Sequence, residues 1–395
     1  MSQDTTLPPL AASSRILPAT TYDAILLAGF GGPEGQDDVI PYLRNVTRGR
    51  GIPDERLEEV AHHYRHFGGI SPINDQNRAL KAALEAEIAE RGLGLPVYWG
   101  NRFWAPYFAD ALRELHADGH RKVLVLVTTA FSSYSGCRAY REDLATALAE
   151  TGLEGELELH KVRQYFDHPG FVTPNVAAVR SGLHQLVESD SGAQPHVLFA
   201  THSIPTAAAD LSGPREARPD GTAVPTGGEN EWHAGGGWYV EQQRAVAALI
   251  MDAVGDEFPG VDWSLVFQSR SGAPEVPWLE PDINDAIEAL PESVTGVVIS
   301  PIGFVSDHME VAWDLDNEAL ETCAERGLAA VRVPTVGIDP AFVAGLVDLV
   351  EERHVAREGD SPRERVALTA LGPWQDVCPT DCCLGRAPKP TVASA

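Results

Sequence analysis

The chain has 395 residues, 44% of them hydrophobic, enough to bury a substantial core in one large or two medium domains. Its 30 basic and 57 acidic residues leave a formal charge of -27, a field that repels nucleic acid and anionic lipid and attracts cations. Nucleic acid is thereby excluded as a partner. No apolar run approaches the roughly 20 residues that cross a bilayer, so no transmembrane segment is expected.

Residues 1–21 lack a basic start followed by an apolar segment. They read as a flexible Pro/Ser/Ala tail, neither signal nor anchor, which points to the cytoplasm. Apolar, β-branched runs then recur at 24–28, 97–99, 123–128, 157–162, 196–200, 265–268, 297–301 and 330–333. Between them, 76–91 and 106–118 carry apolar residues three and four apart and end in Arg-Gly and Asp-Gly, as capped amphipathic helices do. This alternation is the rhythm of parallel βαβ units, and the fold class is α/β.

A composition break at 188–194 suggests two sheets of similar size, in segments 22–190 and 191–355. The stretch 212–237 is dense in Gly and Pro and reads as a long surface loop, with helix resuming near Trp238. After Arg353 the periodicity fades into a C-terminal extension, 356–395, whose Pro- and Cys-rich end needs a metal or a partner to become ordered. Five cysteines, an odd count, argue against a disulfide framework.

Two segments can carry chemistry. His202 follows directly on the apolar run 196–200, at the carboxyl end of a strand, where open α/β sheets bind ligands. The second strand, 297–301, leaves through a Pro/Gly turn into a helix that Ser306 or Asp307 can cap. In that helix Glu310, Asp314 and Glu318 recur every four residues and share a face. Taken alone, the histidine reads as a hydrogen-bonded structural residue and the row as a solvated face. Taken together, an imidazole and a carboxylate from two strand ends make a mixed nitrogen/oxygen site, suited to holding iron in transit or to accepting protons.

At these segments, and at Leu27 to Pro33, Phe67 to Ile73, Tyr98 to Arg102, Phe131 to Ser135, Gln268-Ser269-Arg270 and Phe304 to Glu318, the sequence resembles the ferrochelatase family over about residues 23 to 350. The resemblance implies two similar Rossmann-like, chelatase-like lobes with parallel sheets and a porphyrin cleft between them. It implies that His202 and Glu310 face each other across the macrocycle, with Asp314 and Glu318 leading outward as a metal or proton path. Ser71, Tyr140 and Phe30 match positions at the porphyrin or its propionates; some bacterial relatives place at Phe30 a Tyr that approaches the product iron, and Phe30 cannot coordinate it. Thr47 and His63 stand where some relatives carry Arg, so the propionate contacts should differ in detail.

Some family members bind a 2Fe-2S cluster through one internal cysteine and three near the C-terminus, and Cys137, Cys378, Cys382 and Cys383 fit that pattern. Four thiolates are the number such a cluster needs, adjacent Cys382 and Cys383 can serve its two irons, and zinc is the alternative. Cys323, in a helical stretch, reads as a small buried apolar residue. Members acting on protoporphyrin IX usually meet a membrane, whereas those making coproheme are soluble. The absence of a membrane segment favours coproporphyrin III and ferrous iron as substrates of a monomer, with a coproheme-accepting enzyme as a further partner. A protoporphyrin IX ferrochelatase, a cobalt chelatase and a haem or iron carrier are the alternatives.

Overall fold

The computed structural model describes residues 16–190, 192–214, 236–272, 275–357, 359–385 and 389–392. Most of the expected N-terminal tail and of the 212–237 loop lies outside the described residues.

Two four-stranded parallel sheets form the frame. The first holds β1 (Ala24–Gly29), β2 (Val97–Asn101), β3 (Lys122–Val127) and β4 (Glu158–Lys161) in the order β2-β1-β3-β4. The second holds β5 (Pro195–His202), β6 (Asp262–Gln268), β7 (Gly296–Ser300) and β8 (Ala329–Arg332) in the matching order β6-β5-β7-β8. Strands covered on both faces must be apolar on both faces, which is why the central strands β1, β3, β5 and β7 stand out as continuous runs, whereas the edge strands β4 and β8 are partly exposed. In β1, Ile25 and Leu27 point into a core shared by both lobes, while Ala24, Leu26 and Ala28 point into a second, outer core. In β5, Val197 and Phe199 face the shared core, and Leu198 and Ala200 face outward.

The helices of the first half are α1 (Val39–Val46), α2 (Asp54–His66), α3 (Ile73–Glu90), α4 (Phe108–Ala117), α5 (Ala139–Thr151) and α6 (Pro169–Ser189). Those of the second are α7 (Thr206–Asp210), α8 (Gly237–Gly255), α9 (Ile283–Glu288), α10 (Met309–Trp313), α11 (Leu320–Glu325) and α12 (Pro340–Arg353). A continuous core joins the lobes through α3, α6, α8 and α12. The covering helices cross over: α6 follows β4 in sequence yet packs against β7 and β8, and α12 packs against α3. Helices α1 and α2 form a smaller cluster of their own, into which the second lobe inserts Met309.

The extension after Arg353 is tied down by its own side chains, beyond the metal or partner its composition called for. Trp374, 1% exposed, meets the rings of Trp238 at 5.3 Å and Phe166 at 5.8 Å. The Asp376 carboxylate accepts from Arg353 at 3.0 Å and Arg365 at 2.9 Å, and the buried Arg163 joins Glu352 at 2.8 and 2.9 Å while also donating to the Val366 carbonyl. Buried ion pairs of this kind add little net stability, but they fix one register of the tail, because a shifted tail would leave a charge buried without its partner.

Candidate active site

In the second sheet the chain passes from β5 to one side and returns on the other through β7, so the crevice at the carboxyl ends of β5 and β7 is the topological switch point. His202 is the last residue of β5 and lies beside Gln268 of β6. The turn leaving β7 rests directly on the end of β5. A Cβ at Gly303 would fall 2.2 Å from Thr201 Oγ1, so only glycine permits this approach. Tyr239 holds the strand end from beneath, its hydroxyl donating to the His202 carbonyl at 2.8 Å and meeting Thr201 Oγ1 at 2.9 Å.

The helix cap differs from the sequence expectation. Neither Ser306 nor Asp307 caps α10; His308 does, its Nδ1 accepting from the Glu310 and Val311 amides at 3.2 and 3.4 Å. Asp307 is drawn elsewhere, its carboxylate to Arg332 at 3.3 Å and its amide to Gln76 Oε1 of the first lobe at 2.8 Å. The result places Glu310 in the first turn of α10.

His202 Nδ1 stands 3.6 Å from Glu310 Oε2; a macrocycle between them would need two van der Waals contacts, roughly 7 Å in all, so here the two side chains meet directly instead of facing each other across a ring. Desolvation, assisted by the positive charge of Arg50, lowers the imidazole to a pKa of about 4, so it is neutral at physiological pH. Desolvation raises Glu310 to about 7. Water still reaches 51% of the Glu310 side chain: the carboxylate lies against low-dielectric walls but remains open to a small ion. A neutral nitrogen base thus faces a carboxyl that gives and takes a proton near neutral pH.

Beyond Glu310 the helix widens into a π-helical turn, Asp314–Ala319, before resuming as α11. Such turns are rare and gather at functional sites. Asp314 is also raised to about 7, by desolvation first, partly offset by the Ser269 hydroxyl, with Glu310 and Glu318 adding like-charge repulsion. Its Oδ2 accepts from Ser269 Oγ and from Gln268 Nε2. Ser269 has φ +62, a strained value for a residue other than glycine, which aims its hydroxyl at Asp314. Glu318 accepts from the indole N–H of Trp313 at 2.8 Å. The row read from the sequence therefore exists, and two of its members carry hydrogen-bonded supports.

The first-lobe residues form a different kind of group. Phe30 packs on Phe103 at 4.7 Å, and the Arg102 guanidinium lies 4.7 to 5.7 Å from the rings of Phe30, Phe103 and Tyr140. Tyr140 is 3% exposed within the outer core. Ser71 is buried beside Gly32, and its amide donates to the Pro33 carbonyl. Phe30 shares its apolar cluster with Met309, the neighbour of Glu310, which links this rim to the second-lobe site.

Sequence reasoning assigned no role to several residues here. Gln268 and Ser269 were visible only as part of a resembling stretch. Arg50, on an exposed turn between Gly49 and Gly51 with φ of +78 and +67, adds its charge to the desolvation that lowers His202, and that glycine pair is the signal that could have found it. Tyr42 and Tyr64 are buried phenols raised above their ordinary range chiefly by desolvation, with the Glu310 charge contributing. A cavity of about 300 Å³ lined by Leu93, Glu351, His354 and Arg363 includes none of these groups.

The four cysteines that the family resemblance groups together converge. Cys137, on the π-helical turn Tyr134–Arg138 after β3, joins Cys378, Cys382 and Cys383 in one buried cluster. Cys382 and Cys383 Sγ lie 3.7 Å apart, and the Gly213 amide donates to Cys383 Sγ at 3.1 Å. Arg138 clamps the loop, donating to the carbonyls of Thr380 and Cys382 while pairing with Glu142 at 2.7 Å. All four thiols are free, with no disulfide among them. Among the described residues no group of three or more His, Cys, Asp or Glu side chains is preset at metal-holding spacing, so the thiols are gathered rather than locked. As a donor set they fit an iron-sulfur group: four soft ligands, buried, with an amide donor to sulfur. Cys323 is separate, fully buried among apolar side chains.

The family model described as Ferrochelatase matches residues 22–354. The chain belongs to the ferrochelatase family. It is similar to the coproporphyrin III ferrochelatase of Leifsonia xyli, 59% identical with 94% of each chain covered. The protein of the same description from Streptomyces griseus is 56% identical, covering 95% of this chain and 96% of the other, and that of Streptomyces coelicolor is 55% identical, covering 96% and 98%. The ferrochelatase fold accounts for two matching parallel sheets, and its chemistry makes Fe(II) the substrate metal. No helix among the described residues is long and apolar enough to cross a membrane.

Proposed function

We propose that the chain inserts ferrous iron into coproporphyrin III, with His202 and Glu310, which part to admit the ring, as the groups on its two faces. The observation that carries the reading is the His202–Glu310 pair, 3.6 Å apart at the switch point, a neutral imidazole against a carboxyl at about 7. Insertion converts Fe(II) and a porphyrin bearing two pyrrole N–H groups into a neutral iron–porphyrin core and two protons. One group must accept protons from the pyrroles while another presents the metal. Neutral His202 is a ready acceptor, and Glu310, continuous with Asp314 and Glu318, offers hard oxygen donors to the incoming ion. Phe30, Ser71 and Tyr140 are the porphyrin-side residues of this reading; Arg102, set among Phe30 and Tyr140, is already paired with Asp143 at 2.6 Å.

The relatives described as coproporphyrin III ferrochelatases, at 55 to 59% identity over nearly the whole chain, support that porphyrin over protoporphyrin IX. Anaerobic mixing with ferrous iron and each porphyrin tests the choice through loss of the free-porphyrin spectrum. Faster turnover of coproporphyrin III supports it, preference for protoporphyrin IX overturns it, and binding without insertion returns the carrier reading. The enzyme acts in the cytoplasm as a monomer and passes its reactive product to a coproheme-accepting enzyme.

The same reading gives Cys137, Cys378, Cys382 and Cys383 to a 2Fe-2S cluster, which, when bound, supplies a redox-active crosslink between the C-terminal extension and the first lobe. The protein around it holds the extension in place through Arg138 and the Gly213 amide. Two irons and two acid-labile sulfides per chain in the isolated protein, with visible charge-transfer bands, would support it; one zinc per chain with no visible absorption would replace it by a four-thiolate zinc site.

A further inference from the structure

The outer end of the acidic row meets the first lobe through one side chain. Trp313, the last residue of α10, stacks face to face on His63 of α2, with ring centroids 4.1 Å apart and planes 6° from parallel. His62, His66 and Phe67 meet the same indole edge-on at 6.0, 5.5 and 6.3 Å. The position where a propionate contact was expected to differ is thus part of an interlobe contact. The indole N–H, the only polar handle tryptophan has, donates to Glu318 Oε1 at 2.8 Å.

Interlobe packing alone accounts for the ring stack but not for that bond, since a phenylalanine would pack as well. The spacing is also informative. In an α-helix residues five apart lie about 140° apart around the axis, too far for this contact. The π-helical turn, with its i to i+5 closure, brings Trp313 and Glu318 onto one side. Widening the helix here joins the indole, gripped by α2, to the outermost carboxylate of the row.

We propose that Trp313 and His63 are positioning residues for iron delivery. His63 fixes the indole from the first lobe, and the indole holds the Glu318 carboxylate where Fe(II) arrives, so the outer ligand is in place only while α2 lies against α10. The proposal rests on the reading of Glu310, Asp314 and Glu318 as the metal path, and its test separates the two.

Steady-state kinetics are measured anaerobically with Fe(II) and coproporphyrin III varied in turn. Trp313→Phe keeps the stack and removes the N–H; Glu318→Asp keeps the charge and withdraws it from the indole by one methylene. Each is expected to raise KM for Fe(II) about three- to tenfold, the worth of one ordinary, partly solvated hydrogen bond, with kcat and the porphyrin KM within twofold. The double variant should be no worse than Glu318→Asp alone, because both remove the same contact. His63→Ala should reproduce part of the rise and His63→Phe, which restores a ring, should reverse it. If Glu318→Gln leaves KM for Fe(II) unchanged, the metal-path reading fails and the proposal with it. If Glu318→Gln raises it while Trp313→Phe and Glu318→Asp do not, the path stands and the positioning role is wrong. A rise in the porphyrin KM, or a fall in thermal midpoint with unchanged KM for Fe(II), likewise assigns the clasp to packing alone.

Discussion

The two lobes share a strand order and place a candidate ligand residue at the same point of it. Cys137 lies ten residues beyond Val127, the end of β3, and Glu310 lies ten beyond Ser300, the end of β7, with a π-helical turn in each following segment. Yet Cys137 is 2% exposed, roofed by the extension and clamped by Arg138, whereas half of the Glu310 side chain meets water. The contrast separates two uses of one architecture. On the proposed reading, ligands of a resident cluster can be sealed, whereas ligands that exchange metal every turnover must stay open, with pKa values near ambient pH so that protons leave as metal enters.

The largest effects should follow from disabling the open site. His202→Ala should lower turnover of coproporphyrin III by about 10²- to 10⁴-fold, the usual worth of a positioned proton acceptor; retention of activity within tenfold would falsify its role. Glu310→Gln should cost at least about tenfold and also remove a pH dependence. With its carboxyl at about 7, the wild type should lose activity as pH falls through 7, when the carboxylate is protonated and can bind neither iron nor a proton. A pH–rate profile that keeps this acid limb in Glu310→Gln would assign the limb to Asp314, which titrates in the same range.

Disabling the sealed site should act on stability instead. Cys382→Ser should lower the thermal midpoint by several degrees, about 2–4 °C for each kcal/mol in a chain of this size, while activity per folded molecule falls less than about threefold. A variant with an unchanged midpoint and no activity would show that the thiol site takes part in the chemistry, and the contrast between the lobes would collapse.

The smallest effect is one of linkage. Glu310 and Asp314 have folded-state values raised above those of the unfolded chain, so the native state binds more protons and stability falls as pH rises from about 4 to 7. Glu310→Gln should remove part of that fall, leaving the variant about 2 °C more stable than wild type at pH 8 and no more stable at pH 4. Calorimetry at the two pH values checks the sign; equal gains at both would mean that the substitution works through packing, not through the carboxylate's burial.

Much of this was legible before any coordinates, for reasons that differ by element. All eight strands were readable from apolar and β-branched runs: central ones such as Val123 to Val127 are buried on both faces, while β4 and β8 at the sheet edges keep exposed positions and shorter apolar runs. His202 was readable because it follows directly on such a strand. The α10 cap was not, since Ser306, Asp307 and His308 all have side chains that can accept from a helix amide, and only the competing claims of Arg332 and Gln76 on Asp307 decide among them. The four cysteines were grouped through the family resemblance, which says nothing of Arg138 or the Gly213 amide that hold them.

By itself the sequence determined the α/β class, the strand positions and the acidic row, because each is written in local periodicity or in residue type at fixed spacing; its motifs gave the family, and only through that resemblance was Cys137 grouped with the three C-terminal cysteines. Only the tertiary structure decided that α6 and α12 pack across the lobes, that the tail is locked by Arg353 and Asp376, and that His63 meets Trp313. It also decided which carboxyls lie near neutrality. These are facts about partners far apart in the chain: desolvation and stacking depend on what surrounds a side chain once folded, and no local pattern encodes that.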